Sequence, residues 1–242
     1  MVFARPSTAM VLAAGYGHRM RPLTDDRPKP LVPFAGKPLL DHVLDRLAEA
    51  GVTSAVVNVH YLPEQIEAHL AARISPAILI SDERAQILDT GGAVQKALPH
   101  LGSAPFFVHN SDSVWIERNG SALRQMMQAW DEDAMDALLL LAPAATSLGY
   151  SGIGDYAIGA SGRPCRRRCD QPAVPHVFAG VSINHPRIFQ NCSGGAFSIL
   201  RLWDEAEAAG RLAAIQLDGL WMHIGTPEAL AQAEERLNGQ PA

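Results

Sequence analysis

Residues 12–33, LAAGYGHRMRPLTDDRPKPLVP, carry the pattern that decides the fold. They begin inside a short apolar run, residues 9–14, which is too brief for a helix and predicts a buried β-strand. Gly15 and Gly17 follow this strand at once, so the backbone N–H groups of the loop can approach a phosphate closely. The segment therefore predicts a phosphate-binding loop at the end of the first strand of a sheet.

The same loop carries two cationic side chains. Arg19 presents a planar fork and Lys29 a point charge, and both kinds of group bind triphosphate oxygens. The loop is not a Walker loop, because no Gly-Lys-Ser/Thr follows the glycines, and it lacks the third glycine of a dinucleotide fingerprint. The longer string, Gly-x-Gly-x-Arg-Met-x-Pro-Leu-Thr followed by Pro-Lys-Pro-Leu-x-Pro, indicates a triphosphate site of another kind.

Outward from this loop, short apolar runs alternate with stretches of helical periodicity. Strands separated by helices pair in parallel through right-handed crossovers, and their ligands bind at the carboxyl ends of the strands. We therefore expect an α/β fold, with the loop after residue 14 and the residues after 108 on one rim. Strands are predicted at residues 54–59, 78–80, 106–108 and 137–141, and helices at 39–50, 63–72, 93–98, 121–130 and 227–237. Regular structure of unassigned type is expected at 177–183 and 199–209.

The composition excludes several classes of protein. Hydrophobic residues make up 48% of the chain, which supports a sizeable core and argues against disorder. The net charge of −5 argues against nucleic acid as a partner. No apolar run is long enough to cross a bilayer, so no membrane contact is expected. The odd number of cysteines, three, argues against a disulfide framework and favours a cytoplasmic location.

With these motifs the sequence resembles the sugar-1-phosphate nucleotidyltransferase family over essentially the whole chain. The resemblance implies a Rossmann-like, mostly parallel sheet flanked by helices, of the GT-A-like kind, with a smaller sugar-binding insertion. It also implies one domain over residues 1–242, with a nucleotide-binding part at about 1–142, a sugar-facing part at about 143–225 and a C-terminal helix at 227–238. Arg19 would stabilise the departing pyrophosphate and Lys29 would bridge the reacting phosphates, and the loop residues that would wrap the nucleotide are Ala13, Ala14, Gly15 and Gly17.

Two later segments match the family's nucleotide and metal sites. In residues 88–93, LDTGGA, consecutive glycines at a strand-to-helix turn let a flat base lie against the backbone. In residues 108–112, VHNSD, Asp112 matches the family's metal-binding aspartate and suits Mg²⁺, which prefers carboxylate oxygens. The nucleotide-binding residues carried over from these segments are Thr90, Gly91, Gly92 and Asn110.

The segment 221–227, WMHIGTP, departs from the family pattern. His223 stands where relatives have a second metal-binding aspartate, and neutral imidazole suits Mn²⁺ or similar ions better than Mg²⁺. In the favoured interpretation, Mg²⁺ is bound by Asp112, water and substrate phosphates. His223 then lies in the second coordination shell and does not contact the ion. The alternatives are a preference for Mn²⁺ and weak or lost activity.

Recognition of the sugar is expected from residues 149–156 and 177–181. The residues carried over by resemblance are Gly152, Gly154, Asp155 and Gly180. The basic run 163–168 is interpreted as a solvated loop, with contact to a phosphate or to an acidic sugar substituent as the alternative. Many relatives have a Glu-Lys pair in this region, and this sequence has none.

The predicted partners are a nucleoside triphosphate and a sugar 1-phosphate, bound by a monomer or homodimer. Within the family, the short chain and the overall run of motifs most resemble enzymes that transfer a uridylyl group from UTP to N-acetylmuramate 1-phosphate. Guanylyl transfer to mannose 1-phosphate and thymidylyl transfer to a hexose 1-phosphate remain open, as does cytidylyl transfer to an alcohol phosphate. The alternative from another class is a non-catalytic nucleotide-binding regulator, motivated by His223.

Overall fold

The computed structural model of the chain describes residues 5–239, so residues 1–4 and 240–242, the ends of the predicted domain, lie outside the described residues. Its helices are α1 Leu39–Ala50, α2 Pro63–Leu70, α3 Asp89–Leu101, α4 Ala122–Ala129, α5 Leu200–Ala208 and α6 Pro227–Asn238. Its strands are β1 Thr8–Leu12, β2 Pro33–Phe34, β3 Lys37–Pro38, β4 Ser54–Val59, β5 Ala77–Asp82, β6 Phe106–Asn110, β7 Ser113–Glu117, β8 Ala137–Pro143, β9 Tyr156–Ile158, β10 Pro164–Arg166, β11 His176–Asn184, β12 Leu212–Gln216 and β13 Gly219–His223.

The main sheet has the order β5–β4–β1–β6–β11–β8–β12, with β9 and β10 added beside β11. Along this order only β11 runs against the other strands, among the residues that the structure describes. The predicted mostly parallel sheet flanked by helices is therefore confirmed. The chain order reverses at β1, which lies between β4 and β6, and a crevice forms at such a point.

The two faces of the sheet are buried by different helices. Side chains alternate along β1, so Ala9 and Val11 face the core that includes α1, while Met10 faces the core that includes α3 and α5. All three residues are fully buried. The helix α1 ends at Gly51, whose φ of 100° is the left-handed conformation typical of a helix C-terminus.

The start of α3 differs from the prediction. The helix begins at Asp89, four residues before the predicted start, so Gly91 and Gly92 lie in its first turn and not in a turn before it. The backbone N–H groups of both glycines donate to the carbonyl of Phe197, at 2.8 and 3.1 Å. A helix start leaves such N–H groups without partners inside the helix. Here a distant segment supplies the acceptor, and local sequence does not reveal it.

Two further strands were not predicted and matter for the site. The strands β7 and β13 form an antiparallel pair of their own, in which Ser113 lies opposite His223 and Trp115 lies opposite Trp221. This pair brings the segment 221–223 beside the end of β6. No helix among residues 5–239 has the length and apolar character that a membrane span requires.

Candidate active site

Two adjoining cavities open at the carboxyl ends of the central strands. The first, of about 280 Å³, is lined by Leu12, Ala13, Ala14, Gly15, Lys29, Pro30, Asn58, Glu83, Ile87, Asp89, Thr90, Asn110, Ser111 and Asp112. The second, of about 420 Å³, is lined by Gly15, Tyr16, Gly17, His18, Arg19, Met20, Lys29, Asp112 and Gly225. Gly15, Lys29 and Asp112 line both cavities, so these residues mark their junction.

The glycine-rich loop is held in a compact form. Gly17 has a φ of 70°, and a Cβ added there would lie 3.1 Å from the Lys29 Cβ and 3.2 Å from the Thr24 Cγ2. The hydroxyl of Thr24 also donates to the Gly17 carbonyl at 2.9 Å. Because of this close approach, a side chain at position 17 would push the loop away from Lys29.

Lys29 and Asp112 form an ion pair at the junction of the cavities. The Nζ atom of Lys29 lies 2.5 Å from Oδ2 of Asp112. Burial, the strongest influence, would raise the pKa of the Asp112 carboxyl, but the charge and hydrogen bond of Lys29 outweigh it and hold the pKa below its ordinary value. Asp112 is therefore ionised at neutral pH and carries a negative charge into both cavities.

His223 lies beside this pair. Its ring stacks on Trp221 with the centroids 5.6 Å apart. Burial lowers the pKa of His223, and the opposing effect of the Asp112 carboxylate does not restore it. The imidazole is therefore neutral at neutral pH. A Cβ added at Gly225 would lie 2.7 Å from Nε2 of His223 and 3.5 Å from Nη1 of Arg19, so both side chains approach the same glycine.

The side chains at the junction offer few ligands to a divalent cation. Within residues 5–239, no three His, Cys, Asp or Glu side chains are grouped so that they could hold a metal ion by themselves. Asp112 supplies one ionised carboxylate at the junction. Mg²⁺ typically binds through one or two carboxylates together with water and substrate phosphates. The residues present therefore fit a cation that shares Asp112 with a bound nucleotide.

A buried polar network that the sequence did not reveal lies at the first cavity, where Asn58 and Glu83 are among the lining residues. Asn58 accepts a hydrogen bond from the Ala13 N–H at 2.7 Å and donates to Oε1 of Glu83 at 2.9 Å. The other Glu83 oxygen accepts from the Leu88 N–H at 3.0 Å. The network joins the glycine-rich loop to the start of α3. Its only sequence signal is a polar residue near the carboxyl end of the apolar strand SAVVNV.

The predicted nucleotide residues separate into two groups. Ala13, Ala14, Gly15, Thr90 and Asn110 line the first cavity, and Gly17 lines the second. Gly91 and Gly92 are instead buried against the segment 195–197. A Cβ at Gly92 would lie 2.2 Å from the Gly195 carbonyl oxygen. Base contact by these two glycines stays a prediction.

The predicted sugar residues have visible structural roles. Gly180 has a φ of 82° and lies where the register of β11 shifts, close against Ser113. The Asp155 carboxylate accepts from the Phe178 N–H at 2.9 Å, beside that shift. Gly154 is buried under the Val174 carbonyl, whereas Gly152 is exposed. These contacts shape the wall next to Asn110, and sugar contact by the four residues stays a prediction.

Comparison with known proteins identifies the family. The family model described as nucleotidyl transferase matches residues 8–153. The chain belongs to this family. It is 50% identical to N-acetylmuramate alpha-1-phosphate uridylyltransferase of Caulobacter vibrioides, over 96% of this chain and 97% of the relative. It is 34% identical to the protein of that name from Neisseria meningitidis, over 93% of this chain and 96% of the relative.

Solved structures support the fold. A UDP-glucose pyrophosphorylase complexed with UDP-glucose matches with a TM-score of 0.74 and 18% identity, over 96% of this chain and 98% of that chain. The inositol-1-phosphate CTP transferase from T. maritima also gives a TM-score of 0.74 with 18% identity, over the full length of both chains. The family and the GT-A-like fold expected from the motifs are confirmed, and the chain is a nucleotidyltransferase.

Proposed function

We propose that the protein transfers a uridylyl group from UTP to N-acetylmuramate 1-phosphate and releases pyrophosphate. The observation that carries the reaction type is the meeting of two cavities at Lys29 and Asp112, since one cavity can hold the nucleoside and the other the departing pyrophosphate, with the reacting phosphorus between them. The choice of UTP and of the sugar rests on the two relatives that share this name and span nearly the whole chain.

In the proposed reaction, an oxygen of the sugar 1-phosphate attacks the α-phosphorus of the nucleotide. A new P–O bond forms, the bond from the α-phosphorus to the bridging oxygen breaks, and pyrophosphate leaves with the electron pair. The attacking oxygen is already ionised at neutral pH, so no general base is needed. The task of the protein is to hold two anions in line and to offset their repulsion.

The side chains at the junction meet this requirement. Two like charges about 4 Å apart repel by roughly 4 kcal/mol at an effective dielectric of about 20. Lys29 lies at the junction, where it can bridge the two phosphate groups. Arg19 lines the second cavity, where it can bind the leaving pyrophosphate. The first cavity, between Ala13 and Thr90, is the proposed nucleoside site.

A divalent cation completes the proposed site. Mg²⁺ would be held by Asp112 with water and phosphate oxygens, and it would supply further positive charge to the phosphates. His223 is neutral and lies beside Asp112, so its proposed role is to border the ion without binding it. Mn²⁺ is the alternative, because imidazole is a better ligand for that ion.

The test is pyrophosphate release from the purified full chain. UTP, GTP, dTTP and CTP are crossed with the 1-phosphates of N-acetylmuramate, N-acetylglucosamine, mannose and glucose, in Mg²⁺ and then in Mn²⁺. The expected result is highest turnover with UTP and N-acetylmuramate 1-phosphate. Turnover with GTP and mannose 1-phosphate alone would contradict the proposal. Nucleotide binding with no turnover in either metal would favour the regulatory alternative.

A further inference from the structure

Tyr16 lies between the two glycines of the glycine-rich loop and has no role in the reaction described above. It lines the second cavity together with Arg19. Its hydroxyl lies 2.9 Å from Nε2 of His60, the residue that follows β4. The loop is therefore joined by a side-chain contact to another part of the sheet, at the cavity that receives pyrophosphate in the proposed reaction.

His60 is in turn held by Glu83. Nδ1 of His60 lies 2.7 Å from the Glu83 carbonyl oxygen. Because a carbonyl can only accept, Nδ1 is the donor, and Nε2 of the neutral ring accepts from the Tyr16 hydroxyl. Glu83 also lines the first cavity, where its carboxylate accepts from the Asn58 amide. One residue thus connects the wall of the first cavity to the loop of the second.

The ring of Tyr16 makes contacts of its own. It stacks on His18, with the centroids 5.2 Å apart and the planes 13° from parallel, and the His60 ring meets it edge-on at 5.1 Å. His18 precedes Arg19 in the chain and lines the same cavity. The hydrogen bond and the stacking together restrict the Tyr16 side chain, and with it the loop backbone that leads to Arg19.

The backbone beside Tyr16 is open to an anion. The N–H groups of Gly15 and Tyr16 donate to no backbone carbonyl among residues 5–239. The distal part of the loop is held separately, by the Tyr61 hydroxyl, which donates to the Thr24 carbonyl at 3.1 Å. Free N–H groups of this kind bind phosphate oxygens, but a loose loop must first be ordered, which costs affinity. A side chain that orders the loop in advance lowers this cost.

We infer that Tyr16 is a positioning residue for the departing pyrophosphate. Its hydrogen bond to His60 and its stacking on His18 hold the loop so that Arg19 and the loop N–H groups face the second cavity. The inference rests on the proposed function and assigns a role to a side chain that does not itself carry charge. Its effect belongs to the pyrophosphate cavity and not to the nucleoside cavity.

The experiment measures binding of pyrophosphate and of UMP to the full chain by calorimetry in Mg²⁺. UMP reports on the nucleoside cavity and pyrophosphate on the second cavity. Tyr16→Phe keeps the ring and removes the hydroxyl, so it is expected to weaken pyrophosphate binding about 2- to 10-fold and to leave UMP binding unchanged. Tyr16→Ala also removes the stacking surface of His18 and is expected to weaken pyrophosphate binding further.

A double variant tests whether the contact with His60 is responsible. Tyr16→Phe and His60→Ala break the same hydrogen bond, so the double variant is expected to bind pyrophosphate no more weakly than His60→Ala alone. His69→Ala is the control, because His69 of α2 contacts Asp41 and lines neither cavity. It is expected to change neither affinity. The Tm of each variant confirms that it folds.

Turnover gives a second readout. In Tyr16→Phe, kcat is expected to fall while the KM for the sugar 1-phosphate, which does not enter the second cavity, stays constant. Equal losses of pyrophosphate and UMP affinity would show that Tyr16 only supports the fold, and unchanged pyrophosphate affinity or additive effects in the double variant would equally overturn the inference. A wild type that binds both ligands but turns over no sugar 1-phosphate would contradict the proposed function instead.

Discussion

The Nζ atom of Lys29 lies 2.5 Å from Oδ2 of Asp112, although the two residues are 83 positions apart in the chain. Lys29 comes from the glycine-rich loop, and Asp112 comes from the turn between β6 and β7. The pair joins the two parts of the chain that act on the same phosphates in the proposed reaction. There, a bound nucleotide would offer Lys29 a new anionic partner and leave Asp112 to a cation.

Replacing Lys29 by alanine is expected to reduce turnover far more than nucleotide binding. In the proposed reaction, the ammonium group neutralises charge that develops as the phosphates react, and removal of such a group typically costs about 10²- to 10³-fold in kcat. Steady-state kinetics of pyrophosphate release measure this effect. Lys37→Ala is the matched control, because Lys37 also binds an aspartate at 2.5 Å but on the surface. Near-normal turnover in the Lys29 variant would contradict the proposed role of Lys29 in neutralising charge on the reacting phosphates.

Replacing Glu83 by alanine is expected to destabilise the fold. The substitution leaves the Asn58 amide and the Leu88 N–H without their acceptor in a buried site, at about 1–3 kcal/mol for each. Urea unfolding measures the change. Glu67→Ala removes a surface carboxylate paired with Arg84 and is expected to cost less than about 1 kcal/mol. Equal effects of the two substitutions would show that the network adds nothing to stability.

Replacing Gly180 by alanine is expected to cost more than the same change at Gly194. Both glycines have nearly the same φ, 82° and 83°, so the strain of the left-handed conformation, about 1–2 kcal/mol, is shared. Only at Gly180 would the new Cβ approach Ser113, at 2.6 Å, which adds about 1–3 kcal/mol. The difference in unfolding free energy isolates the close contact, and no difference would mean that Ser113 moves aside freely.

Replacing His223 by aspartate is expected to increase the affinity of the site for Mg²⁺. The change puts a second carboxylate beside Asp112, and changes next to a metal site alter metal affinity about 10- to 100-fold. The Mg²⁺ concentration that gives half-maximal turnover is expected to fall. His223→Asn is the control, since it introduces an oxygen without a charge. A requirement that falls equally in both variants would argue against the role of charge.

Local patterns were sufficient where local forces decide the structure. The helix at residues 39–50 and the strand at 54–59 match α1 and β4 to the residue, because apolar periodicity and the Gly51 terminus act within a few residues. The start of α3 was missed, since its N–H groups are satisfied by Phe197, about 100 residues later in the chain. The pairing of β7 with β13 was also missed, because the two strands are far apart in the chain and local patterns do not show that they pair.

The site likewise contains residues that local motifs reveal and residues whose role appears only in the folded structure. The motifs identified the family and predicted that the loop after residue 14 and the residues after 108 share one rim, where Arg19, Lys29 and Asp112 do line one cavity. Periodicity could not reveal Asn58 and Glu83, because a buried polar side chain has a role only through partners that folding brings to it.

The pairing of β7 with β13 sets the order in which the site can be completed. Trp221 and Ser113 are 108 residues apart in the chain, yet their hydrogen bond joins the two strands. During synthesis on the ribosome, β1, β4, β5 and β6 can pair before β13, the partner of β7, has been made. The proposed nucleoside side of the site can therefore form early, and the side formed by β7 and β13 is complete only when the last strand has been made.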